Sequence, residues 1–205
     1  MSLTFYYTPM SSATRIHWAL EELGIPYEKV KLDLAAGDQK KPEYLAKNPN
    51  GKVPLLVVDG TAVFESLAIL IYLGERYGVE KDLFPPLNLE RAEVLKWMVW
   101  GGASLLDAGG RLLRNVSDRF PAEQRNEKAA EAAKKELGEL LGILDRELEG
   151  KEYLVGGKFS FADLAMAGYM PFLARIGADL GPHKNVQAWI ARCTARPALA
   201  KAMMG

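Results

Sequence analysis

Two hydrophobic rhythms divide this chain. Over its first third the apolar residues come in short, mixed runs. LTFYY (3–7) is β-rich and ends at Thr8-Pro9. From Ser12 to Leu23, Ile16, Ala19, Leu20 and Leu23 fall at the i, i+3, i+4, i+7 spacing of one helix face, and Gly24 followed by Pro26 stops the pattern. YEKVKL (27–32) alternates as a half-buried strand does, and KPEYLAKN is a short helical turn ended by Pro49. VPLLVV (53–58) is a continuous apolar run, which predicts a strand covered on both faces. Asp59-Gly60 then predicts a tight hairpin turn into TAVF, and ESLAILIYLGERYG predicts a buried helix. The order is β-α-β-α-β-β-α.

From about residue 89 the period is helical throughout. NLERAEVLKWMVWGGASLLDAGGRLLRN is one long helical pattern with glycine interruptions. A second follows, with Leu137, Leu140, Leu141, Leu144 and Leu148 along one stripe. FSFADLAMAGYMPFLARIG and NVQAWIARCTARPALAKAM complete an all-helical region. The expected organisation is a first domain over 1–78, a linker over 79–88 carrying Pro85 and Pro86, and a helical domain over 89–205.

Composition narrows the function classes. Lys+Arg and Asp+Glu each number 26 in 205 residues, so nothing favours nucleic acid or an anionic membrane surface as partner. The single cysteine, Cys193, excludes an intramolecular disulfide. No apolar run reaches the length of a membrane span, and MSLTFYY has neither a basic n-region nor a long h-region. A cytoplasmic protein is expected. His17 and His183 are the only histidines and lie far apart, so no metal is expected.

Four stretches carry chemistry or architecture. In NGKVPLL (50–56) a proline stands directly before a buried strand, where it removes a backbone donor and fixes φ. In FESLAI (64–69), Glu65-Ser66 lies between a strand and a helix. The backbone N–H groups of such a junction bind anions, Ser66 adds a hydroxyl, and Glu65 can pair with an ammonium. A Ser cap with a fortuitous Glu is the plain alternative. FSFADLAMA (159–167) carries a capping box, Ser160 with Asp163 at N3, whose role is folding. NVQAWIARCTARPAL (185–199) places Cys193 on a helix as a buried, inert thiol.

With this architecture, the four stretches make the chain resemble the cytosolic glutathione transferase family over essentially its full length. The resemblance implies an α/β thioredoxin-like domain (βαβαββα) followed by an all-α helical bundle domain. It implies that Pro54 is a cis-proline and that Val53 presents its N–H and C=O to the cysteinyl backbone of glutathione, a one-residue β-augmentation. Glu65 and Ser66 would hold the γ-glutamyl end, and Gln39 and Lys52 the glycine carboxylate. It further implies glutathione as co-substrate, a small electrophile as second substrate and a homodimer.

Such an enzyme must deliver a thiolate. A thiol pKa of about 8.5 leaves only a few per cent ionised near neutral pH. Lowering it by about two units needs roughly 2.7 kcal/mol of preference for the anion. A helix N-terminus contributes about 0.3–1 kcal/mol, up to about 2 when partly buried, and a hydroxyl donor to the sulfur can supply the remainder. Three hydroxyls stand near the first helix: Ser11, which matches the family's serine position, then Ser12, then Tyr6 for the tyrosine branch. Met10 stands where serine-type members often have glycine, and no cysteine occurs in SSATR, which disfavours a cysteine-dependent isomerase or dehalogenase. The electrophile's pocket is expected to be apolar and lined by Met10, Trp97, Trp100, Leu105 and Arg111. The activity the resemblance implies is conjugation of glutathione to a small hydrophobic electrophile, or glutathione-dependent reduction of organic hydroperoxides; the alternative functions are a non-catalytic binding or scaffolding module on this fold, and a glutathione-dependent isomerase or dehalogenase.

Overall fold

The computed structural model describes residues 2–204. They form two compact units, one running to Pro86 and completed by the segment from Arg196 onward, the other Leu87–Ala195.

The first unit is built on a four-stranded sheet of order β2-β1-β3-β4, comprising β1 (Leu3–Tyr7), β2 (Glu28–Lys31), β3 (Leu55–Val58) and β4 (Thr61–Phe64). β1 runs parallel to β2 and antiparallel to β3, and β3 pairs antiparallel with β4. The parallel pair needs a crossover, supplied by helix α1 (Ala13–Leu23). Asp59 (φ 45°) and Gly60 (φ 86°) both have positive φ in the β3–β4 turn, as a two-residue primed turn requires. Helix α2 is short (Pro42–Leu45), and α3 (Ser66–Leu73) runs into a π turn at Gly74–Gly78.

Alternation along β1 sends its aromatic rings to opposite faces. Phe5 and Tyr7 lie within 5.8 and 5.7 Å of the His17 ring on α1. Tyr6 packs edge-to-face on Tyr44 of α2, at 5.8 Å, in a cluster with Leu32 and Leu55. Leu55 and Leu56 are both fully buried, so the expectation of a strand covered on both faces is met at the start of β3.

The helix α10 (Pro197–Met204) packs on α1. Periodicity alone groups this segment with the helical region over 89–205, but its contacts fasten it to the first unit. Arg196 donates to Glu22 through Nε (2.6 Å) and Nη2 (2.7 Å), and the Trp18 indole donates to the same carboxylate at 3.0 Å. The Ala202 backbone also acts on the His17 ring, favouring its charged form.

The second unit is helical: α4 (Leu89–Trp100), α5 (Leu106–Val116), α6 (Glu127–Glu147), α7 (Phe161–Ala167), α8 (Met170–Arg175) and α9 (Lys184–Thr194). A π turn at Gly101–Leu105 joins α4 to α5, where the sequence pattern runs on as one helix. Gly101 is required there, because a Cβ would stand 2.3 Å from Met166 Sδ. At the start of α7 the expected capping box is present. Asp163, wholly buried, accepts from the backbone N–H of Leu154 and Ser160, from Ser160 Oγ and from the Trp189 indole, all within 3.0 Å. Burial raises its carboxyl above the ordinary range despite these four donors.

Candidate functional site

The two serines of the opening turn have different partners. Ser11 Oγ accepts the Ala13 N–H at 3.1 Å and donates to the Thr8 carbonyl at 2.7 Å. It thereby satisfies one of the orphan donors of the first turn of α1. Ser12 makes no cap: its exposed hydroxyl donates to the Val53 carbonyl at 3.2 Å. Met10, just before them, sits at φ 56° with 72% of its surface exposed. This backbone region suits glycine, which explains why glycine is the easier residue at that position.

The Val53–Pro54 bond is cis. The loop leading to it is anchored from below, since the Lys52 carbonyl accepts from the Tyr44 hydroxyl (2.6 Å) and from Asn48 Nδ2 (2.7 Å). Asn48 is 2% exposed, and its Oδ1 accepts the Asn50 N–H at 3.1 Å. Burial raises the Tyr44 phenol above its ordinary value, so it remains a donor. Gly51 (φ 57°) lets the chain press on the Asp38–Lys40 turn: a Cβ there would lie 2.9 Å from the Gln39 carbonyl. Gln39 and the segment before Val53 are thus side by side. Gln39 Nε2 donates to the Leu34 carbonyl at 3.3 Å, while its buried Oε1 has no donor among the described residues. The Lys52 side chain is exposed.

At the start of α3, Glu65 holds φ 69° and ψ 116°, a conformation that L-residues adopt at a cost of order 1–3 kcal/mol. Ser66 begins the helix, and its Oγ accepts from Arg15 Nη2 at 3.1 Å. Arg15 reaches it from α1 with only 3% of its surface exposed. Ser11, Ser12, Val53, Pro54 and Ser66 are therefore joined through α1, by Ser12 to the proline loop and by Arg15 to α3. Apolar periodicity missed Arg15 and Asn48. The available signal for Arg15 was a cation among the buried positions of a helix, where an uncompensated charge is costly.

Tyr6 does not join this group. It faces α2 and lines a cleft with Val30, Leu32 and Tyr44. Adjacent strand residues point to opposite faces, so Tyr6 packs in the α2 cluster while Phe5 and Tyr7 face α1.

In the second unit, Trp97 is buried against Trp100 at 5.3 Å with the rings near perpendicular. Leu105 is wholly buried. Arg111 is paired with Asp107 (2.9 Å) and Glu136 (2.8 Å), which hold the guanidinium still more firmly charged and leave it on the exposed surface of α5. Among the described residues no three His, Cys, Asp or Glu side chains converge on a metal-sized site, and no helix is long and apolar enough to cross a membrane.

Comparison with known proteins gives the family. Residues 1–75 match the family described as glutathione S-transferase, N-terminal domain, and residues 114–197 match its C-terminal domain. Glutathione S-transferase GstB of Escherichia coli (strain K12) is 35% identical over 95% of this chain and 93% of its own length. Disulfide-bond oxidoreductase YfcG of the same organism is 32% identical over 98% and 94%. A solved glutathione transferase from Burkholderia graminis, with two glutathione molecules bound per subunit, superposes with a TM-score of 0.87 at 29% identity, covering 98% of this chain and 87% of that one. Matched by both domain families and along nearly its whole length by curated relatives, the chain belongs to the glutathione S-transferase family.

Proposed function

We propose that the protein binds glutathione across the α1 N-terminus, the Val53–Pro54 loop and the start of α3, and activates its thiol for conjugation to a small hydrophobic electrophile. The observation that carries this is the joining of the three elements by Ser12–Val53 and Arg15–Ser66. Val53 would pair with the cysteinyl backbone, Glu65 and Ser66 with the γ-glutamyl end, and Gln39 and Lys52 with the glycine end. The sulfur would then lie by Ser11. Ser11 Oγ is fixed by the Ala13 N–H, so turning its proton from the Thr8 carbonyl to the sulfur needs only rotation of the hydroxyl. Accepting an N–H also strengthens that hydroxyl as a donor. The thiolate attacks the electrophilic carbon, an S–C bond forms, and the leaving group departs with its electron pair.

Retention of the full chain on immobilised glutathione, followed by conjugation of a chloronitroaromatic substrate, tests this reading. Retention with turnover supports it, retention without turnover points to a binding module, and no retention overturns it. In a two-fold dimer of cytoplasmic type, which family membership favours, sedimentation gives twice the chain mass.

A second reaction is favoured by a relative's chemistry. YfcG is named a disulfide-bond oxidoreductase, and the Burkholderia protein holds two glutathiones per subunit. The only cysteine here, Cys193, is buried in α9. Disulfide exchange by this chain would therefore use the glutathione thiolate itself, which attacks one sulfur of a substrate disulfide, forms a mixed disulfide with it and releases the other sulfur as a thiolate. Reduction of a small mixed disulfide, assayed beside conjugation on one preparation, ranks the two reactions.

A further inference from the structure

Arg15 is the one Lys or Arg side chain that is buried among the described residues. It lies one turn into α1, and Nη2 donates to Ser66 Oγ at 3.1 Å, across 51 residues of sequence. A guanidinium only donates, so the Ser66 oxygen receives this bond on a lone pair and its own O–H proton is directed elsewhere. Ser66 is the first residue of α3, where the backbone N–H has no partner within the helix. The preceding residue, Glu65, takes the φ 69° conformation that turns the chain into this start. Ser66 thus offers two donors, N–H and O–H, from one residue, a pattern that matches the two oxygens of a carboxylate. A hydroxyl that accepts from a cation is polarised toward donation.

We propose that Arg15 is a positioning residue for the α-carboxylate of the γ-glutamyl group, acting through the Ser66 hydroxyl and not by touching the ligand. This rests on the glutathione reading above. Its consequence is selectivity: Arg15 favours glutathione over the analogue that lacks only this carboxylate, 4-aminobutanoyl-cysteinylglycine, and contributes little to binding of the analogue itself.

Titration calorimetry of the full chain with both ligands tests this, comparing wild type, Arg15→Met, Arg15→Lys, Ser66→Ala and the Arg15→Met/Ser66→Ala pair. Hydrogen bonds to charged groups of this kind predict a wild-type preference of about tenfold or more for glutathione. Arg15→Met is expected to lower that preference at least fivefold while leaving analogue affinity within about twofold. Arg15→Lys, which keeps the charge, should recover part of the preference. Adding Arg15→Met to Ser66→Ala should cost little more than Ser66→Ala alone, because Arg15 acts only through that hydroxyl. Equal loss of affinity for both ligands, or an unchanged preference, overturns the proposal and leaves Arg15 a structural residue. If Arg15→Met does not fold, Arg15→Lys carries the test, and an unaltered preference in it overturns the proposal. Failure of wild type to bind glutathione overturns the underlying reading instead, and this proposal with it.

Discussion

The Ser12 hydroxyl donates to the Val53 carbonyl oxygen at 3.2 Å, joining the first helix to the loop that ends in the cis-proline. That bond gives the two neighbouring serines different tasks. Ser11 satisfies the first turn of the helix and, on the proposed reading, lies beside the sulfur, while Ser12 holds the loop proposed to receive the cysteinyl backbone. Ser12→Ala is therefore expected to raise KM for glutathione severalfold, with kcat changed less than twofold. Steady-state kinetics at varied glutathione reads this split, and a loss confined to kcat would contradict it.

The loop's geometry depends on Gly51 and Asn48. Gly51→Ala meets the Gln39 carbonyl at 2.9 Å and imposes φ 57° on a side-chain-bearing residue. Asn48→Ala leaves the Lys52 carbonyl with the Tyr44 hydroxyl alone. Each change is expected to cost about 1–3 kcal/mol of stability, and glutathione affinity should fall with it. Denaturant titration with and without glutathione measures both. A stable Gly51→Ala variant with native affinity would show that this close approach does not shape the site.

Much of this was legible in the residues, and what was not has definite causes. Asp59-Gly60 marked the hairpin because few other pairs accept positive φ twice in succession. Apolar spacing marked α1 within one residue, and Ser160 with Asp163 marked the start of α7. Arg15 and Asn48 escaped because counting apolar positions ignores polar groups that are buried with partners. The face taken by Tyr6 escaped because YY offers two hydroxyls, and only the packing of helices on each side of β1 selects one. The docking of α10 on α1 escaped for a related reason. An amphipathic stripe shows that a helix is covered, while the Arg196–Glu22 and His17–Ala202 contacts decide by what.

His17 makes stability depend on pH. Its pKa lies below the ordinary 6.5, chiefly through burial and next through Lys29 of β2, with Glu21 and the Ala202 backbone opposing. The unfolded chain therefore binds the proton more readily than the folded one. Stability is full above about pH 6.5 and falls as pH drops from there toward the folded pKa. His17→Gln is expected to flatten this part of the profile. Thermal melts between pH 7.5 and 5 check it, and an equal slope in wild type and variant would assign the pH dependence to other groups.

Asp163 acts with the opposite sign. Burial raises its pKa, so the folded state holds the proton more tightly, and its contribution falls as pH rises from 3.8 through the folded value. The carboxylate nevertheless receives four hydrogen bonds, and Asp163→Ala strands buried donors from Leu154, Ser160 and Trp189. A loss of about 3–5 kcal/mol is expected. Chemical denaturation measures it, and a loss below about 1 kcal/mol would mean that the helix start is held by packing alone.

The most direct test of the account is the pKa of glutathione's thiol when bound, followed by the ultraviolet absorbance of the thiolate across pH. A wild-type value about two units below the free thiol, raised by about one to two units in Ser11→Ala and unchanged in Ser12→Ala, is the predicted result. An unchanged value in Ser11→Ala together with a raised one in Ser12→Ala would contradict it, and would move the activating hydroxyl to Ser12.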